Sequence, residues 1–330
     1  MEKIDGIEES DVKSYSEKLA IIKKEIGKAV VGQHEVVDGL LTGLLCNGHV
    51  LIEGVPGIAK TLLIRSLSMS TGCTFSRIQF TVDLLPTDVT GITAYHEEKG
   101  FYVIKGPVFA NFILADEINR SPPKTQSSLL EAMGEKQVTI GKNTYKLDEP
   151  FFVMATMNPI ESAGTYSLPE AQLDRFLLKL FMGYPESKEE MDILKKNINL
   201  YKFSDFNLKT VIKPEEIVKM QSDVKKIYMS KKVEQYCVNI VDATRNPKKY
   251  KIKLGKYIEW GASPRASIGL FIASKARAFL HGKNFVIPDF VKEVAYSVLR
   301  HRIILNYEGL AEGIKTDDVI KEVLGKVPIQ

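Results

Sequence analysis

Over roughly the first 185 residues, short apolar runs bounded by turn residues alternate with amphipathic stretches, whereas from there to the end only amphipathic stretches follow. Residues 49–53 (His-Val-Leu-Ile-Glu) read as a short strand covered on both faces, and residues 61–67 read as the helix that leaves it. A second apolar run within residues 110–120 ends in adjacent carboxylates, Asp116 and Glu117, and a third, residues 151–156, ends in Met157, Asn158 and Pro159. With an amphipathic helix over residues 11–28, this strand–helix alternation predicts a doubly wound α/β domain through about residue 184. Ser121 as a cap and Pro122 as the first residue predict a helix whose buried side carries Leu129, Leu130 and Met133.

The second half reads differently. After a hinge at Pro185, apolar positions recur at helical spacing: Met191, Ile193 and Leu194, then Ile217, Val218 and Met220, then Val238, Ile240 and Val241. Residues 263–280 and 288–304 predict two stronger helices, and residues 316–318 cap a last one. The expected boundaries are an N-terminal helix over 1–29, an α/β domain over 30–185 and a smaller all-α domain over 186–330. Two hairpins are expected within the first half: residues 92–95 with 101–104, and residues 136–140 with 144–147. The lysine-rich residues 246–257 alternate Tyr250, Ile252 and Leu254 with lysines. That alternation predicts a half-buried strand with a solvated edge, in preference to a nucleic-acid surface of phosphate-binding lysines and stacking tyrosines.

Composition narrows the class only a little. The 330 residues are 44% hydrophobic, ordinary for a globular protein, and the net charge of +4 is small. It is uneven, with 27 Lys+Arg against 18 Asp+Glu in residues 186–330, a mild bias that selects no partner. Cys46, Cys73 and Cys237 are odd in number and widely spaced, which argues for free thiols in a reducing compartment. No run stays apolar for the roughly 18 residues of a membrane span, and the polar start lacks a signal sequence, so a cytoplasmic location is expected.

The chemistry concentrates in Gly54-Val55-Pro56-Gly57-Ile58-Ala59-Lys60-Thr61, followed by Leu62. A triphosphate is wrapped by successive backbone N–H groups at a helix mouth, so bulky side chains are excluded and a lysine and a hydroxyl must follow. Lys60 would reach the phosphates and Thr61 would ligate Mg²⁺. Ala59 stands where the usual pattern has glycine, and an alanine is comfortable only at negative φ, so negative φ is expected there. At the end of the next strand, Asp116 would hold Mg²⁺ and Glu117 would take a proton from water. Asn158 could contact the γ-phosphate, although Asn-Pro also simply starts turns. Arg175 follows a short helix with Pro169 in its first turn, and is either a partner of that helix's dipole or an arginine finger. Ser263, Pro264 and Arg265 read as N-cap, first residue and first turn of a helix; a cation there opposes the dipole, which points to a ligand.

Together these residues resemble an AAA+ ATPase, specifically the MoxR family, over about residues 30–304, most strongly at 54–61, 106–140, 155–176 and 261–266. In that family an alanine before the lysine looks usual. The resemblance implies a P-loop domain followed by an all-α lid, with ATP and Mg²⁺ as ligands. It implies Lys60 and Thr61 as Walker A residues, Asp116 and Glu117 as Walker B, Asn158 as sensor 1, Arg175 as arginine finger and Arg265 as sensor 2. Val31, Gly32 and Gln33 are similar to the segment that borders adenine. Arg120 and Glu170 adjoin these motifs without an assigned role. The two hairpins resemble the helix-2 insert and the pre-sensor hairpin. The resemblance further implies a homo-oligomeric ring, a hexamer, with a chaperone-like role in maturing partner proteins and a von Willebrand factor A domain partner. The alternative is a nucleic-acid-stimulated motor, disfavoured because the chain carries no appended nucleic-acid-binding segment.

Overall fold

The computed structural model describes residues 6–55, 57–98, 100–158, 166–197 and 202–329; Pro56 of the phosphate loop and Pro159 lie outside them. The chain divides into two compact units, one of Ala20–Phe176 and Leu180–Lys219, the other of Met1–Leu19, Leu177–Lys179 and Met220–Gln330. Residues 186–219, expected with the second domain, group instead with the α/β unit.

In the α/β unit, α1 (Glu9–Ala29), whose first half belongs to the other unit, leads to α2 (His34–Leu45), β1 (Val50–Gly54), α3 (Lys60–Ser70) and β2 (Phe75–Gln79). Then come α4 (Pro86–Thr90), the β3 (Gly91–His96) and β4 (Gly100–Lys105) hairpin, β5 (Phe112–Asp116) and α5 (Pro123–Glu135). The β6 (Gln137–Ile140) and β7 (Asn143–Lys146) hairpin, β8 (Phe152–Met157), α6 (Glu170–Leu173), β9 (Leu178–Met182) and α7 (Ser187–Asn197) complete it. Five strands form one sheet in the order β2-β5-β8-β1-β9, and the β2–β5, β5–β8 and β8–β1 pairs are parallel. Their uninterrupted apolar runs follow from that placement: Ile113, Ala115, Val153 and Ala155 are buried and share a core with Leu129, Leu130 and Met133 of α5. Burying one such side chain fully contributes roughly 1.5–3 kcal/mol, so this face fixes the strand register.

Both hairpins form with the expected pairing, Ile92 opposite Ile104 and Val138 opposite Tyr145. The start of α5 differs from expectation by one residue. Pro122 precedes another proline, and the ring of Pro123 drives it out of the helical region to φ −59°, ψ 152°. Helix formation therefore begins at Pro123 and Ser121 caps nothing. Pro169 is likewise at the N-cap position of α6, with ψ 150°, and not in its first turn.

The second unit is built on α8 (Pro214–Val224), whose last residues belong to it, α9 (Lys231–Arg245), α10 (Pro264–Leu280), α11 (Pro288–Leu299), α12 (Tyr307–Ala311) and α13 (Thr316–Lys326). The expectation of an all-α domain needs one correction: β10 (Ile258–Trp260) and β11 (Ile304–Leu305) pair as a small antiparallel ribbon. The helix expected to reach residue 304 stops at Leu299, and Ile304 belongs to the ribbon instead. The strand expected within residues 246–257 is also absent. Pro247 blocks both helix and ladder, the amides of Lys249 and Tyr250 turn back onto the carbonyls of Asn246 and Pro247, and Lys251 is left-handed at φ 56°. Lys249 and Tyr250 both bond Asp242 Oδ2, at 2.7 and 2.8 Å, while Ile252 is buried.

Candidate active site

The carboxyl ends of β1, β8 and β5 lie side by side. Glu53 is opposite Met157 and Ala115 opposite Ala155, so the register brings Gly54, Asn158 and the Asp116-Glu117 pair to one edge of the sheet. At Gly54 no side chain fits: a Cβ would lie 2.5 Å from the Met182 carbonyl oxygen and 2.9 Å from Ile58 Cδ1. Beyond half-buried Val55, Gly57 takes φ 81°, and buried Ile58 pins the loop to the core.

Ala59 corrects the expectation made for it. It has φ 62° and ψ 26°, left-handed, at the N-cap position of α3, where its carbonyl accepts the first helical hydrogen bond from Leu63 N–H at 3.0 Å. The loop has to reverse from Gly57 into the helix within three residues, and that reversal sets the backbone irrespective of the side chain. Ala59 is exposed, so the cost of the alanine there is conformational.

Lys60, Thr61 and Leu62 form the first turn of α3. The Lys60 ammonium donates to the Gly54 carbonyl. Burial pushes its pKa down, and the charges of Asp116 and Glu117 pull it back up, so it sits within electrostatic reach of both carboxylates. Asp116 accepts from Thr156 Oγ1 through Oδ1 at 2.7 Å and from Arg77 through Oδ2, at 3.1 Å from Nε and 2.6 Å from Nη2. Glu117 is left-handed at φ 55°; its N–H donates to Thr156 Oγ1 at 2.9 Å, and its Oε2 accepts from Gln79 Nε2 and Arg120 Nη1, each at 2.9 Å. Asn158 is 7% exposed at the tip of β8. The residues present fit a magnesium–triphosphate pair: the protein donors are hydroxyl and carboxylate oxygens, and both Asp116 oxygens retain lone pairs beside the hydrogen bonds they accept.

Sequence similarity agrees with this geometry. Residues 49–178 match the family model described as ATPase family associated with various cellular activities (AAA), and residues 255–323 match the AAA lid domain. The chain is 44% identical to the chaperone MoxR1 of Mycobacterium tuberculosis, over 92% of this chain and 80% of that one, and 30% identical to protein MoxR of Methylorubrum extorquens, over 94% of each. It belongs to the MoxR family of AAA ATPases. It is also 44% identical to the protein YeaC of Bacillus subtilis, over 93% of this chain and 94% of that one. A crystal structure from Cytophaga hutchinsonii superposes with a TM-score of 0.91 at 46% identity, covering 98% of both chains.

Within this MoxR-family chain the other expected site residues are placed as follows. Val31, Gly32 and Gln33 precede α2; Gly32 and Gln33 are left-handed, and Gln33 Nε2 donates to the Gly183 carbonyl at 3.0 Å. Exposed Arg175 donates through Nη1 to the Leu130 carbonyl of α5 at 2.5 Å. Arg265 is in the first turn of α10, in the helical unit, where Ser263 Oγ accepts from its N–H at 3.2 Å as expected of the cap. Thr156, Arg77 and Gln79 were missed by sequence reasoning, and Arg120 had no role. Their one signal is the two-residue strand period, Thr156 two before Asn158 and Arg77 two before Gln79. Using it requires knowing that β5 lies between β2 and β8, which no local pattern states. Among the described residues no helix is long and apolar enough to cross a membrane.

Proposed function

We propose that this protein hydrolyses ATP to ADP and phosphate at the edge formed by Gly54–Thr61, Asp116, Glu117 and Asn158. The observation that carries the reading is the Lys60 ammonium held at the mouth of the loop within reach of two carboxylates that are themselves clamped by Thr156, Arg77, Gln79 and Arg120. Preorganised charge of this kind is the main catalytic resource in phosphoryl transfer, because little covalent work falls to the protein. The loop amides and Lys60 bind and orient the phosphates, with Lys60 compensating γ-phosphate charge. Thr61 and Asp116 would hold Mg²⁺, which when bound neutralises phosphate oxygens. Glu117 accepts a proton from the water that attacks the γ-phosphorus, Asn158 orients that water, and ADP departs.

Around this chemistry the reading adds a homo-oligomeric ring, a hexamer, in which Arg175 is presented to the neighbouring subunit's γ-phosphate; arginines in this role contribute on the order of 10³ to 10⁵ in rate. Arg265 couples nucleotide state to the position of the helical unit. A chaperone-like role in maturing partner proteins is in keeping with the Mycobacterium relative, which is a chaperone. The family resemblance adds a von Willebrand factor A domain protein as the partner class and the cytoplasm as the location. The test is phosphate release by the purified chain with Mg²⁺ and ATP, beside Lys60→Ala. Turnover by the wild type that vanishes with Lys60→Ala, together with loss of nucleotide binding, is expected. Equal phosphate release by both would overturn the assignment.

A further inference from the structure

β2 is an edge strand of the five-stranded sheet, and its register sets Gln79 opposite Asp116 and Arg77 opposite Leu114. Residues two apart on a strand share a face, so Arg77 and Gln79 emerge together, and the longer arginine reaches forward to the end of β5. There it donates to Asp116 Oδ2 from Nε, at 3.1 Å, and from Nη2, at 2.6 Å. Nη2 also donates to Gln79 Oε1 at 2.5 Å, which holds the guanidinium between two acceptors. Orientation of Asp116 does not by itself call for this contact, because Thr156 Oγ1 already fixes Oδ1 at 2.7 Å. What Arg77 adds is a full positive charge on the carboxylate that would hold the metal. The surroundings are cationic as well: Lys60 acts on both carboxylates and Arg120 pairs with Glu117 at 2.9 Å, so Lys60, Arg77 and Arg120 face Asp116 and Glu117.

We infer that Arg77 is a specificity-determining residue for the metal: by competing for the charge of Asp116 it turns away a bare divalent cation and admits the metal only together with nucleotide phosphates. This rests on the ATPase reading above. A bare cation meets a carboxylate whose charge is already compensated, and repulsion by Arg77 adds to the cost of shedding its water. A triphosphate brings negative charges that outweigh Arg77 and supplies oxygen ligands of its own, so the same arginine matters far less to the metal–nucleotide complex. A divalent ion feels twice the repulsion that a monovalent one would. Against that, the Arg77 side chain is 48% exposed, so water screens the competition, and the expected effect on bare-metal affinity is about tenfold.

The test is titration of Mn²⁺, which takes the same oxygen ligands as Mg²⁺, into the full chain without nucleotide, with free Mn²⁺ read by its paramagnetic resonance signal. Wild type, Arg77→Ala, Arg77→Gln and Arg77→Lys are compared. Arg77→Ala and Arg77→Gln remove the charge and should bind bare Mn²⁺ about tenfold more tightly than wild type. Arg77→Lys keeps the charge and should stay close to wild type. A fluorescent ADP analogue with Mg²⁺ present should bind wild type and Arg77→Ala with Kd values within about threefold. If Arg77 only orients Asp116, its loss weakens the metal instead, so bare Mn²⁺ bound equally or less tightly by Arg77→Ala and Arg77→Gln would overturn the inference. With nucleotide binding intact, that result leaves the ATPase reading standing. Failure of the wild type to bind the analogue at all would bring down the ATPase reading, and the inference with it.

Discussion

Replacing Ala59 by glycine isolates the one strained residue of the phosphate loop. A non-glycine residue at φ 62° and ψ 26° costs roughly 1–2 kcal/mol relative to glycine, because its Cβ crowds the carbonyl oxygen. Glycine in turn gives the unfolded chain more freedom, which returns about 0.5–1 kcal/mol of the gain. The exposed methyl contributes no burial to either side. Ala59→Gly is therefore expected to stabilise the nucleotide-free protein by about 0.5–1 kcal/mol, a rise of roughly 1–4 °C for a unit of this size. Ala59→Val places a β-branched side chain in the left-handed region and should lose more than about 1 kcal/mol. Scanning calorimetry without nucleotide reads both, and the Kd for ADP shows that Ala59→Gly leaves the loop competent. A destabilised Ala59→Gly, or an Ala59→Val indistinguishable from wild type, would refute the claim that the turn into α3 imposes the conformation.

Three further outcomes follow from the geometry. Thr156→Val deletes the hydroxyl that serves both Asp116 and the Glu117 N–H, leaving a polar group unpaired at a cost of about 1–3 kcal/mol; steady-state ATPase should fall at least tenfold, and Thr156→Ser should restore it. Arg175→Ala should cut turnover by about 10³ or more while leaving the Kd for ATP within a few-fold, read by phosphate release beside fluorescent-nucleotide titration. His49 is buried, with Nδ1 accepting from Val153 N–H at 3.1 Å and Nε2 3.2 Å from the Met133 carbonyl. Burial is the main cause that lowers its pKa from 6.5 to about 4, opposed by the Met133 bond and helped by Lys136. The unfolded chain thus binds the extra proton first, so the contribution is whole above pH 6.5 and is lost as pH falls toward 4, about 2 kcal/mol of it by pH 5. Urea unfolding at pH 7 and 5 should show that slope in the wild type and lose it in His49→Asn.

The elements that carry chemistry were legible because their signals are local. The apolar run before Gly54, the run ending in Asp116 and the helix opening at Lys60 each announce themselves within ten residues, and both hairpins within about fifteen. What was illegible was set by the tertiary fold. Thr156 gains its role only because β8 lies between β1 and β5, and Arg77 and Gln79 only because β2 flanks β5. Ala59 was misjudged because side-chain preference was allowed to decide a dihedral that the reversal into α3 decides instead. In residues 246–257 the alternation is present in the sequence, yet Pro247 and the bonds to Asp242 turn the segment into a compact loop in which, of Tyr250, Ile252 and Leu254, only Ile252 is buried.

The separation of binding from turnover in Glu117→Gln tests the catalytic assignment most directly. The glutamine keeps the shape of the side chain and an acceptor for Gln79 and Arg120, but it cannot take a proton from water. ATP should bind to Glu117→Gln with a Kd within a few-fold of wild type, while phosphate release drops by at least about a hundredfold. Hydrolysis by Glu117→Gln at the wild-type rate would show that Glu117 is not the base and that the edge formed by β1, β8 and β5 works by some other chemistry.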